Sequence, residues 1–292
     1  MNKLEQLSRN DKRNYNRYLK RMTESVKVST KGFIPMMARN SKKILDVGCG
    51  SGVLMYAIAN ENPTAEITGL DLNADAINKL KEQNAPFELV QGDFMEHNGK
   101  YDAVIFSSIL HEISSYYLDE ALRFSIMPIN DAIKKAYTLL EKGGSLIIRD
   151  GILTVSNTPI IISFKDVKDS EWLFKFQKDF RGFNKRAELI DKTIKWVEDG
   201  KWIIGETFLK EFLCKYTWGP SSYPREIQEL FGILTEEAWI EILEHNGFQI
   251  ETVTKSKEDY EKYLKDKITL TYKDGTPYDY PYMSIILQAK KK

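Results

Sequence analysis

The residues with the clearest chemical reading are Ile44-Leu45-Asp46-Val47-Gly48-Cys49-Gly50-Ser51-Gly52. An apolar run ends in a Gly-x-Gly-x-Gly turn, and helical sequence follows from Val53. Glycine lets a backbone turn sharply and approach a ligand where a side chain would collide. The unpaired N–H groups at the helix start then face that ligand. The dinucleotide fingerprint is spaced differently, as Gly-x-Gly-x-x-Gly. Asp46 also precedes Gly48 by two positions; a carboxylate there repels a pyrophosphate and suits a cationic ligand. Other chemistry-bearing residues end later apolar runs: Asp71-Leu72, Gly92-Asp93-Phe94, Phe106-Ser107-Ser108-Ile109-Leu110-His111-Glu112 and Arg149-Asp150. His111 is the best general-base candidate, because an unperturbed imidazole titrates near neutrality. Glu112 and Asp150 are the other groups that can take a proton from a hydroxyl or amine, and Arg149 can bind an acidic group.

A hydrophobic strand, an acid and Gly-x-Gly-x-Gly resemble the first motif of the class I S-adenosylmethionine-dependent methyltransferase family, matched by Asp46, Gly48, Gly50 and Gly52. The resemblance covers residues 43–150 well and 235–290 more loosely. It implies a Rossmann-like fold with S-adenosylmethionine as cofactor. By that resemblance the loop, Cys49 included, passes under the methionine part. Asp71 meets the ribose hydroxyls with Leu72 beside it, Asp93 meets the adenine amino group, Phe94 covers the ring, and Ser107 holds the amino acid end. Methyl transfer is then an in-line attack that needs no metal. The family's Asn/Asp-Pro-Pro-Tyr tetrad for base amino groups is absent after the fourth run, where Ser107-Ser108-Ile109-Leu110 stands.

These residues need elements to position them. Apolar runs alternate with helical segments from Lys43 to Asp150, as in a parallel sheet with helices on both faces. The expected fold class is α/β: a Rossmann-like, seven-stranded, mostly parallel sheet, with a helical insertion after strand 5 and an N-terminal helical cap. The expected organisation is a basic helical cap over 1–42, a cofactor-binding half over 43–150, a mainly helical, aromatic-rich insertion or lid over 151–234, and a helix and strands over 235–292 that complete the sheet. Tyr15, Tyr18, Leu19 and Met22 fall at helical spacing in the cap.

Composition narrows the partners. Forty-two basic and 42 acidic residues cancel, so global charge points neither to nucleic acid nor to a membrane. The first 43 residues nevertheless carry 12 Lys/Arg against three acids, which leaves RNA open as a partner. Cys49 and Cys214 form no paired motif, and three scattered histidines offer no four-ligand zinc site. The N-terminus lacks the apolar core of a signal peptide, and no 18-residue apolar stretch is present. A cytoplasmic enzyme with no membrane association is expected. Four functions follow: methylation of a small-molecule acceptor on oxygen or nitrogen, methylation of RNA, a non-catalytic cofactor-binding module, or a fold relative that uses the cofactor otherwise, as for decarboxylation or alkyl transfer.

Overall fold

The computed structural model describes residues 30–117, 119, 121–184, 190–220, 222–257 and 260–292. Most of the expected basic cap, including Tyr15 and Tyr18, lies outside the described residues. From Thr30 a short 3-10 turn leads into α1 (Ile34–Ala38), whose Ile34 and Ala38 are buried.

The main sheet grows from β1 (Lys43–Val47), β2 (Glu66–Asp71), β3 (Glu88–Gln91), β4 (Tyr101–Ser107) and β5 (Leu140–Gly151). β1 pairs in parallel with β2 and β4, β2 with β3, and β4 with β5. Two late strands, β9 (Phe248–Ser256) and β11 (Ser284–Lys291), complete seven strands in the order β3-β2-β1-β4-β5-β11-β9. Between them run α2 (Val53–Glu61), α3 (Ala74–Glu82), α4 (Leu110–Ser115) and α5 (Met127–Leu139). Asn73 caps α3 by accepting from Asp75 N at 2.9 Å.

Strands covered on both faces read as continuous apolar runs; β4 does so over Ala103–Phe106, and β1 over Ile44–Val47 but for Asp46. One face of the sheet presents Ile44, Ala103, Ile105, Ile147 and Ile286 to α1, α2 and α3, which answer with Ile34, Met55, Ile58, Ile77 and Leu80. Helix α2 lies so close to β2 that a Cβ on Gly69 would sit 2.6 Å from Met55 Sδ. That approach brings the start of α2, and therefore the glycine turn, onto the carboxyl ends of β1 and β2.

The chain divides into two compact units. The first holds the described residues up to Asp150 with Glu236–Thr254 and Ile285–Lys292; the second holds those of Gly151–Thr235 and Lys255–Ser284. The insertion is not all helix. Its β6 (Pro159–Phe164), β7 (Lys195–Glu198) and β8 (Lys201–Gly205) join β10 (Ile268–Thr271) in an antiparallel sheet of order β10-β6-β8-β7. Ile160, Ile162 and Phe164 are the inward residues of β6. The segment 268–272, expected to complete the main sheet, pairs with β6 instead. The unit's helices include α6 (Glu171–Asp179), α7 (Glu206–Tyr216) and α8 (Tyr223–Glu226). Every residue of α7 from Thr207 to Tyr216 is buried, so Lys210, Glu211 and Lys215 sit inside the unit. Glu211 bonds Lys215 Nζ at 2.7 Å and accepts from Gly232 N at 2.6 Å.

Candidate active site

The glycine turn is held by β2. Gly48 N and Cys49 N donate to Leu70 O at 2.7 and 3.1 Å, and Gly50 N donates to Asp71 Oδ2 at 2.8 Å. Asn73 N donates to Asp71 Oδ1 at 2.8 Å. Each carboxylate oxygen keeps a further lone pair for another donor. Burial pushes the Asp71 carboxyl up, against those two backbone donors.

The glycines differ in what they allow. A Cβ on Gly48 would meet Ile109 at 2.8 Å, and one on Gly52 would meet Leu80 at 2.8 Å. Those two are filled in by the protein. At Gly50, with φ +52°, the nearest atom to such a Cβ is Gly48 O at 3.9 Å. The space above Gly50 is open, as a cradle for a ligand requires.

Asp46 sits on β1 between Gly69 of β2 and Ile105 of β4, 2% exposed. Burial pushes its carboxyl up to about 7; Lys31 pulls it down and Asp71 adds to the rise. Lys31, itself buried, was invisible as a site residue in the sequence, where it is one lysine among many. Cys49 is buried, and burial with the charges of Asp46 and Asp71 raises its thiol, so it stays an unreactive wall.

Beyond β2 and β3 the rim carries Leu72, 40% exposed, and Asp93, whose carboxylate accepts from Met95 N at 2.9 Å. Phe94 is buried, edge-on to Phe106 at 5.1 Å, and so belongs to the core of the sheet.

After β4 the chain is held to the end of β5. Ser108 has φ +61°, its N donates to Arg149 O at 2.7 Å, and the Arg149 guanidinium donates to its hydroxyl. Next to it Ser107 Oγ is buried with no hydrogen-bond partner among the described residues; buried polar atoms are normally satisfied. Asp150 is 1% exposed. Its Oδ2 accepts from Leu110 N at 2.8 Å and His111 N at 3.3 Å, and its Oδ1 from His111 Nδ1 at 2.6 Å. One carboxylate thus caps α4 and orients the imidazole. A carboxylate accepts, so the hydrogen is assigned to Nδ1; in neutral imidazole Nε2 is then the basic nitrogen. Glu112, half-buried, stands in the same first turn of α4. Asp150 was expected at a substrate's hydroxyl or amine; its carboxylate bonds the first turn of α4.

Parallel strands whose carboxyl ends carry a glycine turn and acids define a Rossmann-like, cofactor-binding α/β enzyme. Residues 38–203, more than half of the chain, match the family described as "Methyltransferase domain", and the chain belongs to it, as an S-adenosylmethionine-dependent methyltransferase. Its cofactor is S-adenosylmethionine. Among curated relatives it is 33% identical over 110 residues to ribosomal RNA small subunit methyltransferase C of Klebsiella pneumoniae, covering 36% of this chain and 30% of that one. It is 32% identical over 112 residues to cephaeline 6'-O-methyltransferase of Carapichea ipecacuanha, covering 38% and 29%. The chain thus spans less than a third of the length of either relative. Human N-acetylserotonin methyltransferase, solved in complex with its cofactor, has the same fold, with TM-score 0.52 and 12% identity over 98% of this chain and 57% of that one. A structure described as a putative O-methyltransferase from Nostoc punctiforme gives TM-score 0.51 and 14% identity over 95% and 60%. Among the described residues no helix is long and apolar enough to cross a membrane.

Proposed function

We propose that this enzyme methylates a hydroxyl or amine of a small-molecule acceptor, with His111 as the base. The buried His111–Asp150 pair beyond β4 and β5 carries this reading. When bound, the cofactor supplies an electrophilic methyl group on a sulfonium centre. The residues present fit it. Open space above Gly50 admits its backbone-hugging part, the orphaned Ser107 Oγ offers an unused polar contact, and Asp46 offers negative charge to a cation. Asp71 keeps lone pairs for ribose hydroxyls, Asp93 lies on the rim for the adenine amino group, and exposed Leu72 gives apolar cover. Asp150 fixes the imidazole with Nδ1 protonated, so that Nε2 is the nitrogen that takes the acceptor's proton; the carboxylate also stabilises the imidazolium that results.

The small-molecule reading is supported by cancelling charge, by an insertion rich in aromatics directly after Asp150, and by likeness to cephaeline 6'-O-methyltransferase. Likeness to ribosomal RNA methyltransferases supports RNA as the alternative acceptor. Methyl-tritiated S-adenosylmethionine, the full chain and a cell extract split into small molecules, RNA and protein separate the two. Label in small molecules, lost in His111→Gln, is expected. Ribonuclease-sensitive label in RNA sinks the proposal.

A further inference from the structure

The second unit contains a cavity that methyl transfer, as described above, does not use. It lies between α6, α7 and α8, has a volume of about 140 Å³, and is walled by Trp172, Phe176, Phe212, Tyr216 and Tyr223. Phe212 and Tyr216 stack at 5.1 Å with 17° between planes, and Trp172 meets Tyr223 edge-on at 5.2 Å. An engineered apolar cavity of about 150 Å³ holds one benzene ring. The space here therefore suits a single aromatic ring, which edge-to-face and offset contacts with such walls favour.

Three charged side chains line it: Asp169, Lys215 and Lys267. They are not equivalent. Asp169 accepts the Tyr216 hydroxyl at 2.6 Å. Lys215 is buried in its ion pair with Glu211 at 2.7 Å, its ammonium 5.0 Å from the Phe180 ring centroid. Lys267 is exposed, its ammonium 5.3 Å from the centroid of Tyr216, and no carboxylate among the described residues bonds it. A cationic guest would meet two ammonium groups and an acid already engaged by a phenol. An anionic substituent on a ring would meet the ammonium of Lys267 at the solvent-facing side.

We propose that this cavity binds a single-ring aromatic carboxylate, the ring among the aromatic side chains and the carboxylate at Lys267. The site stands independently of the methyl-transfer reading.

Calorimetric titration of the full chain with benzoate, benzamide and benzylammonium tests it. Saturable binding is expected, with benzoate about twofold to fivefold tighter than benzamide at low salt, within the range that an exposed ammonium–carboxylate contact supports, and benzylammonium weakest. Lys267→Gln, at an exposed position, should bring benzoate to the benzamide level and leave benzamide unchanged. Asp46→Ala should alter none of the three. No saturable benzoate binding, a preference over benzamide below twofold, tighter binding of benzylammonium, or a preference that survives in Lys267→Gln overturns the proposal.

Discussion

Replacing Gly50 by alanine separates two kinds of loss that a glycine turn usually confounds. The new Cβ at φ +52° strains the backbone by about 1–2 kcal/mol. It adds no collision, because Gly48 O at 3.9 Å is its nearest neighbour. The strain is present with and without cofactor and largely cancels from binding. What does not cancel is the methyl group standing in the open space above the turn. Filling space that a ligand needs costs about 1–3 kcal/mol by analogy with overpacking, or roughly 5-fold to 150-fold in affinity. Gly52→Ala is the control. Its Cβ, at φ +75°, meets Leu80 at 2.8 Å and Met55 at 3.2 Å, so strain and overpacking together remove about 2–5 kcal/mol of stability. Its cofactor affinity should stay near wild type wherever the variant is folded. Urea denaturation gives the stabilities, and calorimetric titration with S-adenosylmethionine gives the affinities. A Gly50→Ala protein that binds within threefold of wild type would refute the assignment of the cradle.

His111→Gln should lower kcat by about 10²–10⁴ and leave the cofactor Kd within twofold; an unchanged kcat with a proton-bearing acceptor removes the histidine from the reaction. The Asp46 carboxyl, pushed up to about 7, binds its proton more tightly folded than unfolded, where 3.8 applies. Its contribution to stability is therefore complete below pH about 4 and is lost as pH rises through about 7, a fall of up to about 4 kcal/mol. Urea midpoints of the cofactor-free protein at pH 5 and pH 8 check this, and Asp46→Asn should show a smaller difference. For the same reason a cationic ligand, which favours the ionised acid, should bind more tightly as pH rises from 6 to 8 and release a proton, measurable by calorimetry in buffers of different ionisation enthalpy. In the second unit, Glu211→Gln leaves the Lys215 ammonium buried without its counter-charge and should cost about 3–5 kcal/mol. Glu211→Leu combined with Lys215→Met should recover much of that loss in thermal denaturation.

The main sheet was legible because its signals are local. Ala103–Phe106 is apolar throughout, Ile44–Val47 is apolar but for Asp46, and the turn after Val47 declares itself by glycine spacing. Asp46 and Asp71 could be read because each stands near the carboxyl end of a strand beside that turn. Asp150 could be read as a rim acid but not as the cap of α4, since its partners lie 39 and 40 residues earlier and two of them are backbone N–H groups, which every sequence carries alike. Phe94 reads as a ring cover from its place after β3, yet its ring meets Phe106. The strands of the second unit were hidden for a related reason. Trp196 and Trp202 face each other across β7 and β8, but in sequence the aromatics and charges obscure the period of two. Ile268–Thr271 resembles any short strand, and its partner β6 lies about a hundred residues away.

Strand order also sets an order in time. The chain is made from its amino end, and β5 finishes at Gly151, yet the neighbour that covers its outer edge, β11, begins only at Ser284. At ordinary synthesis rates the ribosome needs on the order of ten seconds to make what lies between. Throughout that interval the nascent sheet presents a bare edge whose Leu146, Ile147 and Ile148 are destined for burial, the kind of edge that recruits another chain. A transcript cut short before Ser284 would yield a polypeptide with the whole glycine turn and every acid of the rim, but without the strand that pairs with β5. The eight residues of β11 work as a latch, and a newborn molecule stays vulnerable to its neighbours until they emerge.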